Sequence, residues 1–166
     1  MSVSAAPVPV VSLISNEIFD RLQGLITAEI SSYKFVDVVR PTKLAAYTPQ
    51  NGLIVLIRGD VTRLPELDCP GNPPAVAMQQ TFLVKVHIAP SERDTTPIDL
   101  FEDVVESEIH KTLTKADNWY TFGGYAIDAH IQATVTVTSD GGYDGIAVPV
   151  QVVYRTVEGD PYTVRT

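Results

Sequence analysis

The chain of 166 residues carries one cysteine, Cys69. A lone thiol cannot build an internal disulfide framework or a multi-cysteine zinc site, and it fits a reducing compartment. There are three histidines, His87, His110 and His130, and no two stand four apart, so the H-E-x-x-H zinc arrangement is absent. No apolar run approaches the ~20 residues needed to cross a bilayer. Met1–Ile14 holds no Lys or Arg and contains Pro7 and Pro9; without the basic start of a secretory signal, a cytosolic product is expected. Basic residues are scarce, 12 against 20 acidic, for a net charge of −8. That balance disfavours binding nucleic acid by phosphate neutralisation. It is also uneven: residues 1–63 hold six basic and five acidic groups, residues 64–166 six and fifteen. Apolar residues at 45% nevertheless exclude general disorder, and the length suffices for one domain with a core that needs no staples.

Hydrophobic spacing supplies the elements. Residues 1–14 are small, apolar and punctuated by proline, and read as a flexible N-terminal arm preceding a single domain over 15–166. A first helix is predicted from about Asn16 to Tyr33, capped by Ser15 or Asn16, with Ile18, Leu22, Leu25, Ile26 and Ile30 on one face. Three strands follow: Phe35–Val39, the continuous apolar run within Gly52–Ile57, which suits a strand covered on both faces, and Gln79–Ala89. Between the last two lies a loop with Pro65, Pro70, Pro73 and Pro74 that holds Cys69. A second helix begins at Thr96-Pro97, with Thr96 as cap and Ile98, Phe101, Val105, Ile109 and Leu113 as its buried stripe. The last third reads as a hairpin. Tyr125–Thr138 ends in strict Val/Thr alternation, Ser139–Gly145 turns, and Ile146–Thr156 returns with Ile146, Val148, Val150, Val152 and Tyr154 inward. Pro149 must face away from the ladder or mark a bulge. The expected class is therefore α+β, one mainly antiparallel sheet with two helices packed on it, in the order α-β-β-β-α-β-β.

No constellation points to catalysis. The histidines read as partly exposed structural residues. Glu102, Asp103, Glu106 and Glu108 read as a solvated helix face. Cys69 has no evident base beside it and reads as an inert loop thiol. Gly123-Gly124 and Gly141-Gly142 lack phosphate-cradle spacing and read as turns. Trp119, Tyr120 and Phe122 have no interleaved cation of the kind a single-strand nucleic-acid site requires, and read as packing. No enzyme, cofactor or metal site is expected.

The C-terminal run Val152-Val153-Tyr154-Arg155-Thr156-Val157-Glu158-Gly159-Asp160-Pro161-Tyr162 resembles the closing motif of bacteriophage tail-terminator proteins, in which a last strand ends in Tyr-Arg-Thr and a short turn leads to Asp-Pro-Tyr. The helix, three strands, helix and hairpin also resemble that family's layout over roughly residues 15–162. The resemblance implies a structural virion protein of the tail or neck, assembled in the host cytoplasm. It implies a homo-hexameric ring that caps the tail tube, ends tube polymerisation and docks head-completion or connector proteins. Genomic DNA would pass through the lumen without sequence-specific binding, with no membrane partner, catalysis or cofactor. Tyr154, Arg155, Thr156, Asp160, Pro161 and Tyr162 become the candidate assembly interface. Arg155 is expected to pair with Asp160 or with a neighbour's acid. The rival roles are a head–tail connector stopper or other neck or tail-completion protein and, from a different class, a small cytosolic binding module or enzyme with a site in the Trp119–Tyr125 region.

Overall fold

The computed structural model describes residues 6–27, 33–41, 47–91, 93–140 and 142–165. Helix α1 spans Val10–Thr27 and starts earlier than its sequence signals suggest. Pro9 opens it: its carbonyl accepts the amides of Ser12 (2.8 Å) and Leu13 (3.1 Å), and its ring presets the backbone. Val10 and Ile14 are fully buried and extend the stripe of Ile18, Leu22 and Leu25 by about two turns. Residues 10–14 thus belong to the core rather than to an arm. Ser15 and Asn16 cap nothing; they sit inside the helix and accept the Arg40 guanidinium at 2.9 and 2.6 Å. The expected continuation through residues 28–32 lies outside the described residues, and Tyr33 beyond them is not helical.

Helix α2 spans Ile98–Leu113. Pro97 occupies the cap position in extended conformation, and Thr96 does not cap. Val105, Ile109 and Leu113 are buried and Phe101 partly so, but Ile98 is exposed because the first turn precedes the stretch that rests on the sheet.

The strands are β1 Asp37–Val39, β2 Leu53–Arg63, β3 Ala75–His87, β4 Asp128–Ile131, β5 Val135–Ser139, β6 Gly142–Val157 and β7 Asp160–Val164. They form one mainly antiparallel sheet in the order β1-β2-β3-β6, with β1 parallel to β2. Strand β6 is the spine. One edge pairs with β3 along thirteen positions; the other takes β5, β4 and β7 in succession. The expected α-β-β-β-α-β-β succession is present, with the closing β region drawn out further. Leu53, Ile54, Val55 and Leu56 are all buried, as a run covered on both faces requires. Ile54, Leu56, Phe82, Val84, Val86, Ile146, Val148, Val150, Val152 and Tyr154 form the face under the two helices, joined by Phe122.

Pro149 explains why Tyr125–Thr138 is two strands rather than one. The amide of Gln132 donates to the Pro149 carbonyl (2.8 Å). The N and C=O of one strand residue point to the same edge, so the missing N–H of Pro149 faces residues 132–134. Pairing lapses there, between β4 and β5. The alternation of Val135 and Val137 does not mark a core face either. Strand β5 is largely exposed on both sides, and Val135 is 53% exposed, because neither helix reaches over it. The expected turn is shorter than Ser139–Gly145, since β5 runs to Ser139 and β6 resumes at Gly142. Gly141 lies outside the described residues.

Candidate assembly surface

The six motif residues separate into unlike environments. Tyr154 is buried at 7% and belongs to the core; burial raises its phenol pKa. It cannot serve as a surface contact. The Arg155–Asp160 pair does not form, for two reasons. Neighbouring residues on a strand face opposite ways, so Arg155 turns away from the Tyr154 face, and its Nε donates to the Leu67 carbonyl at 2.8 Å. Asp160 is occupied by its own turn: Oδ2 accepts the Thr163 hydroxyl (2.6 Å) and Oδ1 the Tyr162 amide (3.0 Å). Those two bonds hold its carboxyl below the usual range. The β6–β7 connection is the tight Glu158-Gly159 turn, with Gly159 at φ +77°, a conformation glycine adopts without Cβ strain. Val157 pairs with Asp160 but Thr156 pairs with Val164. Residues 161–163 therefore bow out of the ladder, which leaves Pro161 and Tyr162 exposed.

Beneath this bow lies a groove of about 350 Å³ lined mainly by Val11, Val76, Met78, Tyr154, Val157 and Pro161. On the other side of β6, Arg155 and Arg165 border a cavity of about 280 Å³ against the proline-rich loop. That loop is held from within. Cys69 and Ala75 exchange both backbone bonds, at 3.0 and 2.9 Å. Asp68 accepts the Ala77 amide (2.7 Å) and Arg63 (2.9 Å), bonds that lower its pKa. Arg155 thus ties the end of the spine strand to the loop, a role that residue spacing in the motif does not disclose.

A second polar group stands at the other end of β6. Asp144 pairs with Lys85 at 2.6 Å and lies 3.3 Å from Nδ1 of His87. The Lys85 bond is the main cause of its lowered carboxyl pKa. Geometry follows from a bulge: Tyr143 faces Thr138 and Gly145 faces Val137, so Asp144 is the unpaired extra residue. A Cβ on Gly145 (φ +136°) would stand 1.9 Å from the Val86 carbonyl oxygen, so only glycine fits. His87 is 4% exposed and so is buried, not partly exposed as expected. The alternation Lys85-x-His87 was a visible signal, but its acid sat in a segment that reads as a turn.

The aromatic cluster is structural. Trp119 packs edge-on against Phe122, centroids 6.2 Å apart, and Arg21 lies 4.6 Å above the Phe122 ring. The acidic face of α2 is partly engaged: Glu102 accepts the Tyr143 hydroxyl (2.8 Å), and Glu108 stands 4.0 Å from Lys111. Among the described residues no three His, Cys, Asp or Glu converge as a metal site. No helix there is long and apolar enough to cross a membrane.

Comparison of the chain with protein-family models and with curated proteins found no match in either.

Proposed function

We propose that the protein is a structural subunit of a phage particle, a tail terminator that closes the tail tube as a six-membered ring and offers the head-docking face. The observation that carries the reading is the Tyr154-Arg155-Thr156…Asp160-Pro161-Tyr162 ending, which here closes the sheet with a hairpin whose last two motif residues, Pro161 and Tyr162, bow outward. The α+β layout and the acidic balance accord with it: a lumen that DNA must slide through should not neutralise phosphates. In this role Pro161 and Tyr162 contact a neighbouring subunit or the tube, while Arg155 acts by holding the 64–74 loop in place.

The test is light scattering after size exclusion, joined to negative-stain imaging with added tail tubes. Tubes belong in it because a subunit that is monomeric alone can form a ring on its template. Six-fold rings, or caps on tube ends that stop elongation, are expected from the parent. Tyr162→Ala should lose caps at least tenfold while unfolding at the parent's temperature. A monomer that ignores tubes overturns the reading, and binding to a portal-side adaptor instead would transfer it to a stopper.

A further inference from the structure

We propose that neighbouring copies are joined by strand addition, the segment Ala6–Pro9 of one copy pairing, in the next, along the edge of β5 that takes no strand among the described residues. The acceptor is defined by backbone direction. Val153 and Pro149 accept amides from Ile127 and Gln132, so odd-numbered residues of β6 face this edge. Ala147 is odd and opposite Val135, so Val135 is spent on β6, and Thr136 turns its N–H and C=O outward. By the strand's alternation Thr138 does the same. Among the described residues this edge has none of the usual protections. Residues 132–139 carry no charge and no proline, and the bulge that distorts the pair lies on β6, at Asp144. Strand β4 presents Asp128 and His130 instead, and β1 is three residues long.

The donor is equally specific. Ala6–Pro9 is outside regular structure, uncharged, and has Val8 43% exposed. In extended form, Pro7 and Pro9 fall on one edge and lack N–H groups, while Ala6 and Val8 keep theirs on the other. Such a segment can join a sheet by one side only, so it completes an edge without offering a new one.

Pairing within one chain is excluded by distance. Val11 lies beside Tyr154 and Thr156, near the C-terminal end of β6, whereas Thr136 is opposite Ile146. Ten residues of strand separate Ile146 from Thr156, about 33 Å. Four residues, 6–9, span about 14 Å when fully extended. Donor and acceptor at opposite ends of the subunit make a head-to-tail contact, the kind that closes into rings. Closure at six copies rests on the terminator reading; the strand contact itself does not.

Two proline substitutions test it in the full chain. Thr136→Pro removes an outward N–H and leaves the β5–β6 bonds intact. Val8→Pro removes the donor's N–H outside the folded core. Assembly on tubes, or into free rings, is read by light scattering and negative stain, with thermal unfolding as the control for folding. Each variant alone should lose assembly at least tenfold. Mixed, they should form 1:1 pairs and no rings, because the arm of the Thr136→Pro chain still fits the edge of the Val8→Pro chain. If Thr136→Pro fails to fold, Val8→Pro decides alone. Parent-like assembly of Val8→Pro overturns the strand contact and leaves the terminator reading standing. A parent that never assembles, with or without tubes, overturns both.

Discussion

Arg21→Ala should be among the most damaging changes at a partly exposed position, although Arg21 lies far from the motif. Its Nη1 donates to the carbonyls of Leu113 and Trp119, both at 2.9 Å. Leu113 is the last residue of α2, so a cation on α1 caps the negative end of the helix packed beside it. The guanidinium also covers the Phe122 ring at 4.6 Å. Burial lowers its pKa, which marks a charge drawn partly out of water, while Glu17 offsets the effect. A hydrogen bond to a charged group contributes roughly 1.5–3 kcal/mol, and stacking on an aromatic face roughly 0.5–1 kcal/mol at a wet site. Because the site is half-exposed, water recovers part of the loss, so truncation should cost about 3 kcal/mol. In a domain of this size each kcal/mol moves Tm by roughly 2–4 °C, for a fall of about 6–12 °C. Urea denaturation supplies the free energy and calorimetry the Tm. Arg21→Lys should lose about half as much, since an ammonium cannot serve both carbonyls and lie flat on the ring. Lys111→Ala, at an exposed site, should stay within about 0.5 kcal/mol. A loss below about 0.5 kcal/mol for Arg21→Ala would refute the argument that this side chain joins the helices.

Asp144→Asn should destabilise the fold at neutral pH and flatten its acid limb. A carboxyl whose folded pKa is lowered stabilises above its unfolded value, near about 3.9, and that contribution is lost as pH falls through the folded pKa. The parent's advantage over the variant in urea should therefore shrink between pH 7 and pH 3; an equal gap at both would show that the charge is irrelevant. Gly145→Ala should cost at least about 2 kcal/mol, from positive φ and a collision with the Val86 carbonyl. Gly142→Ala should cost less, because φ is also positive (+98°) but no atom lies within 4 Å, and the reverse order in denaturant midpoints would contradict the geometry.

Periodicity made the sheet and both helices legible, because apolar spacing reports directly which face is buried. The inward set Ile146, Val148, Val150, Val152 and Tyr154 could be read two residues at a time. Boundaries were harder where a polar residue looked like a cap. Ser15 and Asn16 have the right chemistry, but burying Val10 and Ile14 extends the helix by more than a turn and leaves both side chains for Arg40. The candidate surface was legible only as a motif. That Arg155 binds the Leu67 carbonyl rather than Asp160 depends on tertiary packing that no linear spacing shows. At Val135 and Val137 the alternation marks the strand and nothing more, since a period of two establishes a strand, not a covered face.

The two helices cover β6 between about Ile146 and Tyr154, yet the strand runs from Gly142 to Val157. Each end carries a different hairpin, β5–β6 at one and β6–β7 at the other. Strand β5 lies beside Gly145, Ile146 and Ala147, which pair with β3 on their other side, and as an uncharged, β-branched outer strand it is best accounted for by a strand that completes it. A strand supplied from the same end of a second copy would give a symmetric dimer. Here the one-sided segment, Ala6–Pro9, enters α1 beside the opposite hairpin. If the proposed strand contact forms, unlike ends of the spine strand meet head to tail, a geometry that can close into a ring, whereas reciprocal exchange between two copies would give a dimer.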